Sequence, residues 1–143
     1  MAELTLSKAN TIITQALAKA AAEGMKPLGV AVLDAGGHLI ACQRQDGNPF
    51  MRLDIASGKA YGALAVGTGS RSLNAAAQDR PHFVNALMAA SGGKIIPVPG
   101  GVLVRNAGGE IIGAVGISGD TSDNDEACAI AGIEAAGFTG DGG

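Results

Sequence analysis

The chain has 143 residues, of which 47% are hydrophobic and 16% are charged, and its formal net charge is −3. This length favours one domain that buries a sufficient core without a disulfide or a structural metal. The mild negative charge, the absence of tryptophan and the presence of only three phenylalanines and one tyrosine argue against a nucleic-acid-binding surface, which needs basic and stacking side chains.

The composition also bears on the environment of the protein. No apolar run approaches the ~18 residues of a membrane span, and the N-terminus lacks the pattern of a classical signal peptide, so a cytoplasmic protein without membrane contact is expected. Cys42 and Cys128 have no metal or redox spacing and are interpreted as reduced thiols. The low charged fraction, against a typical ~25%, leaves apolar surface to be covered and predicts a homo-oligomer.

The first predicted elements are a helix and a hairpin. Apolar residues at helical spacing predict a helix over 7–23, which Gly24 and Pro27 end. Two apolar runs, 29–33 and 38–43, flank the turn sequence DAGG. Because glycine supplies the positive φ that a tight turn needs, these runs predict a β-hairpin.

The middle of the chain is predicted to be mainly helical. Helical spacing predicts three helices, over 51–66, 70–78 and 81–90. After them, 95–99 is expected to form a short edge strand, because Pro97 and Pro99 cannot donate hydrogen bonds to a neighbouring strand.

The last third of the chain repeats the hairpin pattern. The runs 100–105 and 110–118 flank the turn sequence NAGG and predict a second hairpin. A last helix is predicted over 125–136, and the glycine-rich segment 139–143 is expected to be a flexible tail. The element order predicts an α+β fold in one domain, 1–138, with an antiparallel sheet of about five strands built around the two hairpins and flanked by helices.

The densest polar cluster, 118–126, joins the last strand to the last helix. Ser122 and Asp125 match a helix-capping pattern, which is the plainer explanation of the cluster. Alternatively, free backbone N–H groups at Ser118, Gly119 and the start of the helix bind a carboxylate or phosphate. The spacing does not match a calcium loop, and no metal site is predicted.

A basic residue inside the alanine-rich helix is the second candidate feature. Lys59 is most simply a solvated side chain, but in a pocket its amine would bind an acid or transfer a proton. Glu126 is the alternative proton-transfer group, and Arg44 would bind the carboxylate of an organic acid. Gly100 and Gly101 either let the backbone approach a helix or a ligand closely or serve only a turn.

His38 and His82 are the only histidines of the chain. Two isolated histidines are most simply surface residues, yet they are the candidate axial ligands if the protein binds haem. No nucleophile elbow, Walker loop or HExxH motif is present.

Several short sequence motifs, in the order in which they occur along residues 4–136, resemble those of the GlcG/HbpS family. They are LTL at 4–6, VLDAGGHL at 32–39, DIASGKA at 54–60, PGG at 99–101, GAVGISG at 113–119 and DEACA at 125–129. The C-terminal domain of PduO-type corrinoid adenosyltransferases is similar as well. The resemblance implies a profilin-like α+β domain that assembles into compact oligomers, commonly octamers, and it implies haem binding in some relatives.

Three hypotheses therefore stand at this point. The first is a small-molecule-binding protein for haem or another tetrapyrrole. The second is a small catabolic enzyme or accessory protein that acts on a hydroxy, keto or aromatic acid through Lys59, Arg44 and the 118–126 loop. The third is an oligomeric scaffold.

Overall fold

The computed structural model describes residues 3–143, which form five helices and a single five-stranded antiparallel sheet. The elements are α1 Leu6–Ala22, β1 Gly29–Asp34, β2 Leu39–Arg44, α2 Met51–Val66, α3 Ser70–Asp79, α4 Pro81–Ala90, β3 Gly101–Arg105, β4 Ile111–Ser118, α5 Ser122–Ala135 and β5 Thr139–Asp141. The strand order is β2-β1-β4-β3-β5, and every pair is antiparallel. The predicted α+β class is confirmed.

Both predicted hairpins are present, and they lie side by side because β1 pairs with β4. In the first turn, Asp34 Oδ1 accepts hydrogen bonds from the N–H groups of Gly36 and His38, and Gly37 has a φ of +83°. Asn106 plays the same part in the second turn. The Asp or Asn that begins each phrase therefore stabilises its turn through its own side chain.

Helices cover both faces of the sheet. On one face, α1 and α5 pack against strand side chains such as Val32 and Val115, which belong to the larger core. On the other face, α2 lies across β1, β3 and β4, where its Ala60 and Ala63 belong to a second core. A methyl group at Gly116 of β4 would overlap the Ala56 carbonyl, so this glycine permits the close approach of α2.

The fifth strand is not the one expected. The segment 95–99 forms no strand, and Ile96 N–H instead donates to Gly58 O of α2 at 3.2 Å. Residues 139–141, expected to lie in a flexible tail, form β5 beside β3. The buried ring of Phe138 and a 3.0 Å ion pair between Arg105 and Asp141 hold this strand in place.

The last helix begins three residues earlier than predicted, at Ser122 rather than Asp125. Thr121 is the N-cap, and its hydroxyl accepts a hydrogen bond from Asn124 N–H at 3.2 Å. The predicted capping role of Ser122 is therefore wrong, and Asp125 is free to point into the protein.

Candidate functional site

Lys59 lies on the buried side of α2. The interpretation of its side chain as solvated is therefore wrong. Its side chain is 3% exposed, and its ammonium donates to Ile117 O at 2.8 Å and to Asp125 Oδ2 at 3.3 Å. The amine thus joins α2 to the end of β4 and the first turn of α5.

Burial acts on both members of this ion pair. Desolvation lowers the pKa of Lys59, and the charge of Asp125 opposes that shift. Desolvation likewise raises the pKa of Asp125, while Lys59 and the backbone N–H of Asp120 oppose it. Each charge is therefore stabilised chiefly by the other, and Asp125 also fixes the loop that precedes α5.

Gly100 and Gly101 lie against Lys59. Gly100 has a φ of +120°, and a Cβ there would lie 2.8 Å from Lys59 Nζ. A Cβ at Gly101 would overlap the Lys59 carbonyl, and Gly101 N–H donates to Ser70 Oγ at 2.7 Å. The backbone at these two glycines therefore makes its predicted close approach to helix α2.

Ser118 and Gly119, at the start of the loop, also make their contacts within the protein. Ser118 is buried, and its hydroxyl accepts from Arg52 Nη1 at 3.2 Å. A Cβ at Gly119 would overlap the Pro27 carbonyl, which also accepts from Asn48 Nδ2 at 2.9 Å. Arg52 and Asn48 carried no motif that could have identified them from the sequence.

Two predicted members of the organic-acid site have other partners. Arg44 is exposed, and its Nη1 donates to Asn48 O at 3.4 Å. Glu126 accepts from Arg71 Nε at 3.0 Å, and Asp123 binds the same guanidinium, so both carboxylates raise the pKa of Arg71. The structure therefore assembles Lys59 and Asp125 without Arg44 or Glu126, and the geometry gives no support to a proton-transfer site at Lys59.

His38 is at the end of the first hairpin turn, and its side chain is 83% exposed. Its Nδ1 lies 3.2 Å from Asp34 Oδ1. Hydrogen bonding from the His38 backbone N–H is the main cause that holds the pKa of Asp34 below its ordinary value. The Asp34 carboxylate is therefore fixed by the turn and lies within ion-pair distance of the imidazole.

The imidazole borders a depression that we call the turn groove, with a volume of about 390 Å³. Its apolar floor consists of Leu4, Ile111 and Ile112. His82, in contrast, is exposed on α4, a helix that packs against α3. Within residues 3–143, His82 forms no ion pair with a carboxylate.

A second depression, which we call the α2 cleft, lies on the other side of the same turn and has a volume of about 520 Å³. Tyr61 lines it, and the Lys94 ammonium lies 5.5 Å from the centre of the Tyr61 ring. The other lining residues are Leu33, Gly37, Leu39, Met51, Asp54, Ile55, Ser57, Gly58, Gly93 and Ile96. This cleft was not foreseen from the sequence, because its walls come from three separate segments.

In residues 3–143, no three His, Cys, Asp or Glu side chains are grouped so that they could hold a metal ion. None of the helices in this part of the chain combines the length and apolar character of a membrane span.

The fold and its polar groups define a small single-domain α+β protein in which a histidine, paired with a carboxylate, borders a groove with both apolar and acidic side chains. Residues 4–134 match the family described as haem degrading protein HbpS-like, and the chain belongs to that family. The resemblance noted in the sequence is thereby confirmed.

Relatives of known sequence or structure extend over nearly the whole chain. An uncharacterized 15.0 kDa protein from the dhaT-dhaS intergenic region of Citrobacter freundii is 31% identical over 125 residues, 87% of this chain and 86% of that protein. A double mutant of HbpS from Streptomyces reticuli is 26% identical, with a TM-score of 0.81 over 96% of this chain and 89% of that one. The PduOC:heme complex, at 24% identity and a TM-score of 0.84 over 96% and 97% of the two chains, shares the fold.

Proposed function

We propose that this protein binds haem, or another tetrapyrrole, with His38 as the axial ligand. The observation that carries the proposal is the Asp34–His38 pair, in which the carboxylate lies 3.2 Å from Nδ1. Metal-ligating histidines commonly donate their second ring N–H to a carboxylate, and histidine is a frequent axial ligand of haem. Nε2 forms no hydrogen bond within residues 3–143 and is available for coordination.

The turn groove offers a surface that suits the group. Leu4, Ile111 and Ile112 would contact one face of the macrocycle, and the groove volume of about 390 Å³ lies within the ordinary range for ligand sites. When bound, haem would supply an iron centre that accepts the imidazole. The family description and the heme complex of PduOC support the choice of ligand.

Self-association is part of the same proposal, because one subunit leaves the other face of such a ligand open. Phe50, at the start of α2, is 78% exposed, and a second copy of the chain would cover this side chain. We propose a homo-oligomer, with the octamer implied by the family resemblance as its expected size.

A hemin titration followed at the Soret band tests the ligand and its axial residue. Wild-type protein and His82→Gln should give a saturable spectral change, stoichiometric with subunits, that free hemin and an albumin control do not reproduce. His38→Gln should lose or shift that band. Saturable binding that is unchanged in His38→Gln would reject the axial assignment, and a nonsaturating titration of the wild type would reject haem binding itself.

Sedimentation velocity tests the assembly. Phe50→Asp should shift the protein to smaller species, because it places a charge at the proposed contact. Leu6→Asp, at another exposed apolar side chain, is the matched control and should leave the distribution unchanged. A wild-type protein that sediments as a monomer at micromolar concentration would reject self-association.

A further inference from the structure

The α2 cleft is distinct from the turn groove. Gly37 and Leu39 line the cleft, whereas His38 between them borders the groove. We propose that the α2 cleft is a second ligand site, which binds monocarboxylic acids with an apolar body. The acid group would pair with Lys94, and the apolar body would lie along α2.

Close packing of one loop segment on α2 builds the cleft. A Cβ at Gly58 would overlap the Ile96 side chain, and one at Gly62 would lie 2.9 Å from Ile95 Cγ2. These two glycines are one helical turn apart and therefore let both isoleucines approach the helix axis. The preceding residue, Lys94, is thereby held at the Tyr61 ring.

The Lys94 ammonium is the cationic group at this end of the cleft. It lies 5.5 Å from the centre of the Tyr61 ring, and within residues 3–143 it forms no ion pair. A contact with the face of an aromatic ring contributes less than a charge-assisted hydrogen bond to a carboxylate. A ligand carboxylate would therefore displace or supplement the ring as the partner of Lys94.

The walls of the cleft are mostly apolar. Leu33 and Leu39 contribute from the first hairpin, Ile55 from α2 and Ile96 from the loop. The volume of about 520 Å³ lies inside the range of roughly 300–1,000 Å³ for small-molecule sites. An aliphatic or aromatic body of moderate size would be desolvated between these side chains.

Asp54 determines the orientation of the ligand in the cleft and restricts the ligand to one acid group. It lines the cleft seven residues before Tyr61, which places it about 10 Å away along the helix axis. Its charge repels a carboxylate, so the acid group is favoured at the Lys94 end and a second acid group at the far end is disfavoured. Neutral and cationic analogues lack the Lys94 pairing altogether.

Tyr61 makes the site directly observable, because it is the only tyrosine and the chain has no tryptophan. Tyrosine fluorescence should change saturably when octanoate is added below its micelle-forming concentration. The apparent dissociation constant should be about two- to fivefold higher for 1-octanol, which corresponds to loss of one exposed charge pair.

Matched variants decide whether the cleft and Lys94 are responsible. Lys94→Met should weaken octanoate binding about two- to fivefold without changing 1-octanol binding, and Lys26→Met, at another exposed lysine, should change neither. Ser57→Phe, which fills the cleft, should abolish the response, whereas Ser57→Ala should retain it. If Ser57→Phe does not fold, the comparison of Lys94→Met with Lys26→Met decides.

Three results would overturn the proposal. They are equal binding of octanoate and 1-octanol, unchanged octanoate binding in Lys94→Met, and fluorescence that depends on protein concentration but not on octanoate. The last result would indicate that a second copy of the chain covers the cleft. Failure of the haem proposal is distinguishable from failure of this one, because the haem test measures the Soret band and the effect of His38→Gln on it.

Discussion

The Lys59 ammonium and the Asp125 carboxylate lie 3.3 Å apart, with side chains only 3% and 1% exposed. They are 66 residues apart in the sequence and join the middle of α2 to the first turn of α5. Gly100 also lies against the Lys59 ammonium, and a side chain at this position would collide with it. A polar loop that the sequence offered as a ligand site is thus organised around an internal ion pair.

Lys59→Met should reduce the free energy of unfolding by about 3–5 kcal/mol, because it leaves the Asp125 carboxylate buried without its cation. The double variant Lys59→Met, Asp125→Leu should lose less than the sum of the two single variants. Urea denaturation measures all three. Lys19→Met, which removes an exposed ion pair with Glu23, is the control and should change little. Equal effects of Lys59→Met and Lys19→Met would contradict the role assigned to the buried pair.

Gly116→Ala should destabilise the protein by about 1–3 kcal/mol, because the added methyl overlaps the Ala56 carbonyl and pushes α2 away from β4. Gly108→Ala is the control, since the nearest atom to its added methyl would be 3.5 Å away. Thermal and chemical unfolding of the two variants make the comparison. A Gly108→Ala variant as unstable as Gly116→Ala would contradict this packing.

The carboxyl of Asp120 should titrate at a pKa of about 2, because Asn124 Nδ2 and then the Lys26 N–H donate hydrogen bonds to its charged form. The folded pKa lies below the ordinary 3.8, so the stabilisation is fully present above pH 3.8 and is lost as the pH falls towards 2. NMR titration of the side-chain carboxyl measures this pKa directly. Asn124→Ala should raise it, and an unchanged pKa would show that the amide is not its cause.

Cys128 should resist alkylation in the folded protein, whereas the exposed Cys42 should react. Burial raises the pKa of the Cys128 thiol to about 11, so about one thiol in a thousand is ionised at pH 8. Iodoacetamide treatment followed by peptide mass spectrometry distinguishes the two sites. Denatured protein is the control, in which both should react, and equal rates in the folded protein would refute the expectation.

Asp34→Asn should weaken hemin binding by about 10- to 100-fold and alter the Soret spectrum, because the amide cannot hold His38 as a charged acceptor. Asp34 acts here as a positioning residue, so the spectral change distinguishes its effect from simple loss of stability. Asp46→Asn, at another exposed aspartate, is the control and should leave the spectrum unchanged. An identical spectrum and affinity in Asp34→Asn would remove Asp34 from the proposed site.

The sequence by itself determined the elements that depend on local interactions. The turn sequences DAGG and NAGG predicted one hairpin each, because a glycine with positive φ and a nearby Asp or Asn define such turns within a few residues. Helices α2 and α4 have their predicted bounds, Met51–Val66 and Pro81–Ala90, because alanine-rich spacing and an initial proline act locally. The α+β class followed from the order of these elements.

Only the tertiary structure decided which polar groups meet. Lys59 is a single cation in an apolar helix, and whether it faces water or Asp125 depends on how α2 lies over β4. The strand β5 likewise depends on β3, because the three residues Thr139–Asp141, with a glycine at the centre, have no local preference strong enough to define a strand. The α2 cleft depends on side chains from three segments. Local propensity acts over a few residues, whereas burial, ion pairing and cleft shape depend on contacts between residues far apart in the chain, and these exist only once the chain is folded.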